Sequence, residues 1–338
     1  MSPVGAWDGP ALTDGLALIV NPAATRVGVD TAARVRSALG PGSPRPVVAT
    51  SAADTIVEAR RARDAGARVV AVVGGDGTVG AVAAVLAGTE VALLPLSGGS
   101  TNVFARGLGW DADLWRALAQ VPGGLRAPRR TLRLGEVILD GRPARTMCVN
   151  AGVGVDAATV RWVESHPRAK RTLRQVAFAA AAVGPGARAL ARGRVLRVGA
   201  GPGPLVPAAT CMVACGHPYA FVGPRPLELM PRADWDGVLE WLALARPSPA
   251  AAAAALLGGL GDGAHLALAP LMGGTTRGEV RIAAPRGAHV QVDGEALGPV
   301  RTAVVRPGPL LRVVAPPAPP PVPGHPAPGV KPAAAPAE

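Results

Sequence analysis

Residues 69–80 read Val-Val-Ala-Val-Val-Gly-Gly-Asp-Gly-Thr-Val-Gly, and few folds can accommodate that string. A run of β-branched residues and alanine with no polar alternation suits a strand buried on both faces of a parallel sheet. The glycines then demand a tight turn, and residues 78–87 carry a helical pattern. Strand, glycine turn and helix in that order are the building unit of a doubly wound α/β domain. Glycines at such a turn let backbone N–H groups approach an oligophosphate, and the helix N-terminus adds a positive dipole. Asp76 would repel phosphates unless a cation lay between, so its presence suggests Mg²⁺, held directly or through water. Taken alone, the turn has a plainer reading in which Asp76 caps the helix.

The flanking sequence weakens that plainer reading. Strand patterns at 16–20, 47–49 and 91–95 alternate with helical patterns at 30–39, 54–65 and 102–108, the second of these helices capped by Ser51 or Asp54. After the strand at 91–95 comes a second Gly/Ser/Thr loop, Ser97-Gly98-Gly99-Ser100-Thr101-Asn102. Two such loops at the carboxyl ends of two parallel strands lie side by side, where open α/β sheets bind ligands. Gly75, Gly77 and Gly80 also satisfy G-x-G-x-x-G, but that dinucleotide fingerprint belongs to a first strand with an acid about 20 positions on. Here the strand is the third, and residues 96–101 hold no acid; a P-loop is excluded because no G-K-[ST] occurs.

From about residue 131 the pattern changes. Residues 131–139 and 145–149 flank an Asp140-Gly141 turn of the hairpin kind. Strand-like stretches follow at 194–198, 209–214, 238–245, 279–283, 288–292 and 303–306, separated by Gly and Pro. Helices are expected at 156–164, 169–183 and 249–260. The expected organisation is an α/β doubly wound nucleotide-binding domain over 12–128 and a mainly antiparallel β-sandwich domain over 129–314. The last strands of the second domain can pack back on the first. Residues 315–338, almost only Pro, Ala, Gly and Val, suit an extended tail.

A formal charge of +12 suits an anionic partner. Arginine supplies nearly all of it, Lys170 and Lys331 are the only lysines, and tyrosine occurs once. With so few aromatics to stack on bases, nucleic acid is not expected; a transient anionic membrane surface fits better. The longest apolar runs, 177–183 and 250–257, fall short of the ~18 residues that cross a bilayer. The first fifteen residues lack a secretory pattern, so a cytoplasmic protein touching the inner face of the membrane is expected. Cys148, Cys211 and Cys215 read as small core residues. Asparagine occurs only at 21, 102 and 150, each beside a turn or glycine cluster.

These positions carry a resemblance to the diacylglycerol kinase catalytic family, which includes sphingosine kinases and bacterial lipid kinases. Asn21-Pro22 resembles its opening turn and Gly74-Gly75-Asp76-Gly77-Thr78 its GGDGT loop. The run from Gly99 to Arg106 resembles G-T-x-N-x-F-A-R, and that from Asn150 to Ala157 resembles N-x-G-x-G-x-D-A. The stretch from Pro231 to Gly237 resembles P-x-A-x-x-D-G, and Val292-Asp293-Gly294-Glu295 resembles V-D-G-E. The resemblance implies ATP contacts from Asn21, Pro22, Ala23, Ala24, Thr25, Thr50, Gly74, Gly75, Asp76, Gly77, Thr78, Val79, Gly80, Ser100, Thr101 and Asn102. It implies a Mg²⁺ site at Asp236 with Ala233 and Val238, and catalysis by Asp76 and by Glu295 as general base. The implied reaction moves the γ-phosphoryl group of ATP to a lipid alcohol, diacylglycerol first among them. Acyl chains would lie along the Trp162 to Phe178 region, and a homodimer is allowed.

The sequence departs from the family where Gly80 and Ala81 replace a usual Asn and Glu, Ser100 a usual Thr, and Ala23-Ala24-Thr25-Arg26 a Ser-Gly with Lys. Two alternatives stay open. An NAD kinase shares GGDGT, although this chain lacks that family's Asn-Glu pair; a non-catalytic nucleotide- or lipid-binding relative would explain Gly80 and Ala81.

Overall fold

A computed structural model describes residues 15–154 except 25, 29 and 41, residue 157, residues 196–261 except 247, residue 265 and residues 271–317. Four parallel strands begin it: β1 (Leu16–Val20), β2 (Val47–Val48), β3 (Val69–Gly74) and β4 (Ala92–Ser97), in the order β4-β3-β1-β2. Every residue of β3 and β4 is buried, which accounts for their unbroken apolar sequence. Helices α1 (Thr31–Leu39), α2 (Ala52–Asp64) and α3 (Asp76–Leu86) connect these strands. The short α4 (Val103–Gly107) and then α5 (Leu114–Arg126) follow β4.

Local chemistry sets the helix starts. Ser51 and Asp54 form a reciprocal capping box on α2. Asp113 accepts from the N–H groups of Trp115 and Arg116 to open α5. That last helix is additional to the sequence pattern because Pro122 and Gly123-Gly124 mask its periodicity, yet Leu114, Leu118, Val121 and Leu125 all face the core. Helix α3 starts at Asp76, two residues ahead of the pattern, because extended Gly75 hands the chain directly into it.

The rest is rich in antiparallel strands, as expected: β5 (Arg130–Leu139), β6 (Arg145–Met147), β7 (Asn150–Val153), β8 (Leu196–Ala200), β9 (Val206–Ala208) and β10 (Thr210–Ala214). Next come β11 (Ala220–Val222), β12 (Arg225–Leu227), β13 (Leu239–Leu244), helix α6 (Pro249–Gly259), β14 (Leu271–Thr276), β15 (Val280–Val292) and β16 (Glu295–Val313). The β5–β6 connection starts at Asp140 and Gly141 with positive φ at both, as an Asp-Gly hairpin turn requires. The expected helix at 169–183, that at 156–164 apart from residue 157, the Trp162 to Phe178 region, Thr25, Asp156 and residues 318–338 lie outside the described residues.

Two strands are longer than their sequence pattern. The stretches 279–283 and 288–292 form the single strand β15, which shifts register between Ala283 and Ala288. Its first part pairs with β8 and its last with β7, so the irregularity lets one strand serve two neighbours. Strand β16 pairs with β15, then with β5, and its end at Arg312 and Val313 lies parallel to β4. All but β11 and β12 therefore belong to one 14-stranded sheet, the parallel half joined to the antiparallel half through β16.

Leu311 of β16 is fully buried opposite Leu132. Leu311→Ala is expected to cost about 2–5 kcal/mol, read as a lowered urea midpoint by far-ultraviolet circular dichroism. Because β16 belongs to both halves, that unfolding should remain one transition.

Candidate functional site

The carboxyl ends of β1, β2, β3 and β4 bring the first-domain residues together. The Asn21 N–H donates to Val73 O at 3.0 Å, and its Nδ2 donates to Thr78 Oγ1 at 2.9 Å, tying the end of β1 to the start of α3. Asn21 Oδ1 also accepts from the Ala23 N–H at 2.9 Å, which turns Pro22 and Ala24 along the same edge. Thr50 stands past the end of β2 and donates to Asp54 Oδ2 at 3.1 Å.

The two glycine loops meet backbone to backbone. Gly98 N–H donates to Gly74 O at 2.8 Å, extending the β3–β4 ladder into the loops. A Cβ on Gly99 would come within 2.5 Å of Gly75 Cα, so no larger residue fits there without displacing main chain. Asn102, buried with φ 51°, holds Gly99 from both sides: its Oδ1 accepts from Gly99 N at 2.8 Å and its Nδ2 donates to Gly99 O at 2.9 Å. Asparagine tolerates this left-handed conformation better than most residues. Ser100 and Thr101 lie within the same loop.

Above this platform there is room for phosphates. No side chain caps the N-terminus of α3, and a Cβ at Gly77 or Gly80 would meet nothing within 4 Å. Exposed first-turn N–H groups and the helix dipole fit an oligophosphate. Val79 is buried, so only its backbone faces that side.

Asp76 faces a different space as well. Its Oδ2 accepts from Thr101 Oγ1 at 2.9 Å and its Oδ1 from the Phe104 N–H at 3.2 Å. Burial raises the pKa of this carboxyl despite those bonds. It lines a cavity of about 330 Å³ that reaches into the second half of the molecule. Asp76, Thr101, Asn150, Gln291 and Asp293 supply polar groups to this cavity; Met212, Phe221, Leu229, Leu242, Leu256 and Leu271 are part of its apolar body.

Asp293 sits in the turn between β15 and β16 with φ 49°. Its carboxylate accepts from the N–H groups of Cys148 at 2.7 Å, Val149 at 2.8 Å and Asn150 at 3.1 Å. Burial nevertheless pushes its pKa up to about 6, and the charge on Asp76 adds to the effect. The sequence marks this residue only as part of a turn motif, and nothing there shows that it faces Asp76 across a cavity.

The other second-domain residues lie elsewhere. Glu295 follows Gly294, which lines the cavity, but its own side chain is 55% exposed and ion-paired with Arg145. Asp236 accepts from the Val238 N–H at 2.8 Å, and its other oxygen stands 3.4 Å from Arg277 NH2. With Ala233 and Val238 able to offer only main chain, this set fits Mg²⁺ poorly, because the guanidinium stands where a cation would bind. Among the described residues no group of three or more His, Cys, Asp and Glu could hold a metal. All three cysteines are buried, and burial pushes their thiols upward, in keeping with a packing role.

One contact binds the halves across the site, and a second braces the later half beside it. Arg106 of α4 stacks its guanidinium 3.5 Å from the Phe221 ring centroid and donates to Gly223 O at 3.0 Å, anchoring the β11–β12 hairpin over the cavity. His217 lies between Asp234 at 3.6 Å and Glu228 at 3.3 Å; Asp234 first and then Glu228 raise its pKa to about 9. The Arg106 contact joins residues more than a hundred positions apart, so no local signal announces it.

Residues 15–136 match the family model of the diacylglycerol kinase catalytic domain. Three solved structures share the fold, all from Bacillus anthracis str. Sterne, one described as a diacylglycerol kinase and two as putative diacylglycerol kinases. Their TM-scores are 0.62, 0.66 and 0.63; each is 17% identical to this chain, covering 90% of it and 97% of the other chain. No curated protein matches the chain. No helix among the described residues is long and apolar enough to cross a membrane.

Gly99→Ala should force the loops apart and destabilise the fold by about 1–3 kcal/mol, the scale of an overpacked contact, read as a lowered urea midpoint. The His217 cluster has a definite pH sign. Its folded pKa is raised, so its stabilisation is complete below the unfolded value near 6.5 and disappears as pH climbs through about 9. His217→Gln should therefore destabilise by about 1 kcal/mol at pH 6, discounted for partial exposure, and by much less at pH 10, measured as urea midpoints.

Proposed function

We propose that this chain, a member of the diacylglycerol kinase catalytic family, transfers the γ-phosphoryl group of ATP to the hydroxyl of a lipid alcohol, with diacylglycerol the leading acceptor. The observation that carries this reading is the apolar cavity with Asp76, the carboxylate of the first glycine loop, in its wall. A nucleotide on the loops and an apolar chain in the cavity would meet at that residue. Its lining is largely apolar, from residues such as Met212, Leu229 and Leu242. That favours an acyl chain over the polar dinucleotide that an NAD kinase would accept.

The roles follow from position. The N–H groups of Gly75, Gly77 and Thr78 would hold phosphate oxygens at the start of α3, and Asn21 would keep Thr78 in place. Mg²⁺, when bound with ATP, supplies charge neutralisation on the phosphates. Thr101 and the Phe104 N–H fix the orientation of the Asp76 carboxylate. Burial raises its proton affinity, which suits a group that accepts the proton of the attacking hydroxyl. Glu295 is the second candidate base, and it would have to leave Arg145 to reach the same hydroxyl.

Transfer of labelled phosphate from ATP with Mg²⁺ to diacylglycerol in mixed micelles, with NAD as a parallel acceptor, tests the reading. Lipid labelling is expected. Asp76→Asn should lower turnover about 10²- to 10⁴-fold, the range for a lost general base, with ATP binding retained. Glu295→Gln should stay within about tenfold of the parent; a larger loss there with active Asp76→Asn would exchange the two roles. Labelling of NAD alone would move the chain to the NAD kinase reading, and ATP binding without transfer would favour a non-catalytic relative with Gly80 and Ala81 in place of the usual pair.

A further inference from the structure

Helix α6 has the sequence Pro-Ala-Ala-Ala-Ala-Ala-Ala-Leu-Leu-Gly-Gly and so carries no polar side chain on any face. An ordinary surface helix pairs an apolar stripe with a charged face, and a helix apolar all round belongs in contact with apolar material on both sides. On its inner side Ala252, Ala255 and Leu256 line the cavity beside Asp76. On its outer side Ala250 and Ala253 are exposed, and Leu257 is 71% exposed.

The β11–β12 hairpin repeats the arrangement. Val222 lines the same cavity and is 40% exposed. One helix and one hairpin thus each present apolar residues both to the cavity and to the outside of the molecule.

Exposed arginines flank this surface. Residues 241–261 contain no Asp or Glu, exposed Arg246 precedes α6, and exposed Arg225 lies on the hairpin strand opposite Val222. The whole chain carries +12. A second copy of so basic a molecule would be repelled, whereas arginines bind lipid phosphates well.

We propose that α6 and the tip of the β11–β12 hairpin form the face that lies on an anionic lipid bilayer, so that lipid enters the cavity from the membrane without crossing water. Eleven residues of helix cannot span the bilayer, and the helix lies in its plane. Arg225 and Arg246 contact headgroup phosphates at the edge of the patch. The entry route rests on the lipid-acceptor reading; the docking face does not.

The test uses the full chain and vesicles of phosphatidylcholine with or without phosphatidylglycerol. Ala253→Asp with Leu257→Asp, both at exposed positions away from the cavity lining, should lower co-sedimentation with mixed vesicles at least about tenfold, the scale of one leucine side chain returned to water. Arg246→Glu should lower it about tenfold on phosphatidylglycerol-containing vesicles alone. Thermal denaturation of both variants should match the parent. Transfer to a water-soluble short-chain acylglycerol should be unchanged, while transfer to a vesicle-embedded acceptor falls with binding.

Vesicle binding that is unchanged in the double variant overturns the proposal. So does sedimentation velocity showing a dimer that Leu257→Asp dissolves, which would make the face a contact between copies. If the parent phosphorylates no lipid but α6 still governs vesicle binding, the docking face stands and the kinase reading falls.

Discussion

The site depends on one close contact, the meeting of two glycine loops with no side chain between them. Gly98 continues the hydrogen-bond ladder onto Gly74, and Gly99 packs where even a methyl group would strike Gly75. This approach sets the separation of the elements that follow each loop. Asp76 at the start of α3 comes within reach of Thr101 and the first turn of α4, and its carboxylate is fixed before any ligand arrives. Asn102 holds the second loop in a conformation that most side chains resist.

Around that contact the molecule separates two kinds of surroundings. Open space over Gly77 and Gly80, beside uncapped amides, suits strongly charged phosphates. The cavity behind Asp76 is largely apolar and raises the proton affinity of the carboxylates in its wall. Asp76 belongs to both. Arg106 couples them mechanically, since it leaves the helix after the second loop and grips the hairpin that covers the cavity.

Much of the first domain was legible because its signals are local. The β3 run, the capping pair Ser51 and Asp54, and the glycine strings each fix structure within a few residues, and the three asparagines stood out against a composition that nearly lacks them. The cavity was not legible. Its walls come from α3, α4, β7, β10, the β11–β12 hairpin, β13, α6, β14 and β15, and an alanine in α6 carries no mark of the space it faces. Asp293 was visible only as a hairpin residue, because its burial depends on amides well over a hundred positions earlier in the chain. The lengths of β15 and β16 were hidden by the Gly and Pro at their irregularities, which read locally as strand ends.

Strand β16 gives the chain an unusual dependence on its own far end. The segment that matches the catalytic-domain family stops at residue 136, yet the sheet edge it would expose at β4 is covered by Arg312 and Val313, and most of β5 finds its partner in β16. A fragment cut at that boundary would present two strands with unpaired hydrogen-bonding groups, a template for pairing with other chains. The segment recognisable as a domain in sequence is thus not an autonomous unit. A growing polypeptide emerging from the ribosome could close its parallel-sheet half only after nearly all of the second half had been synthesised.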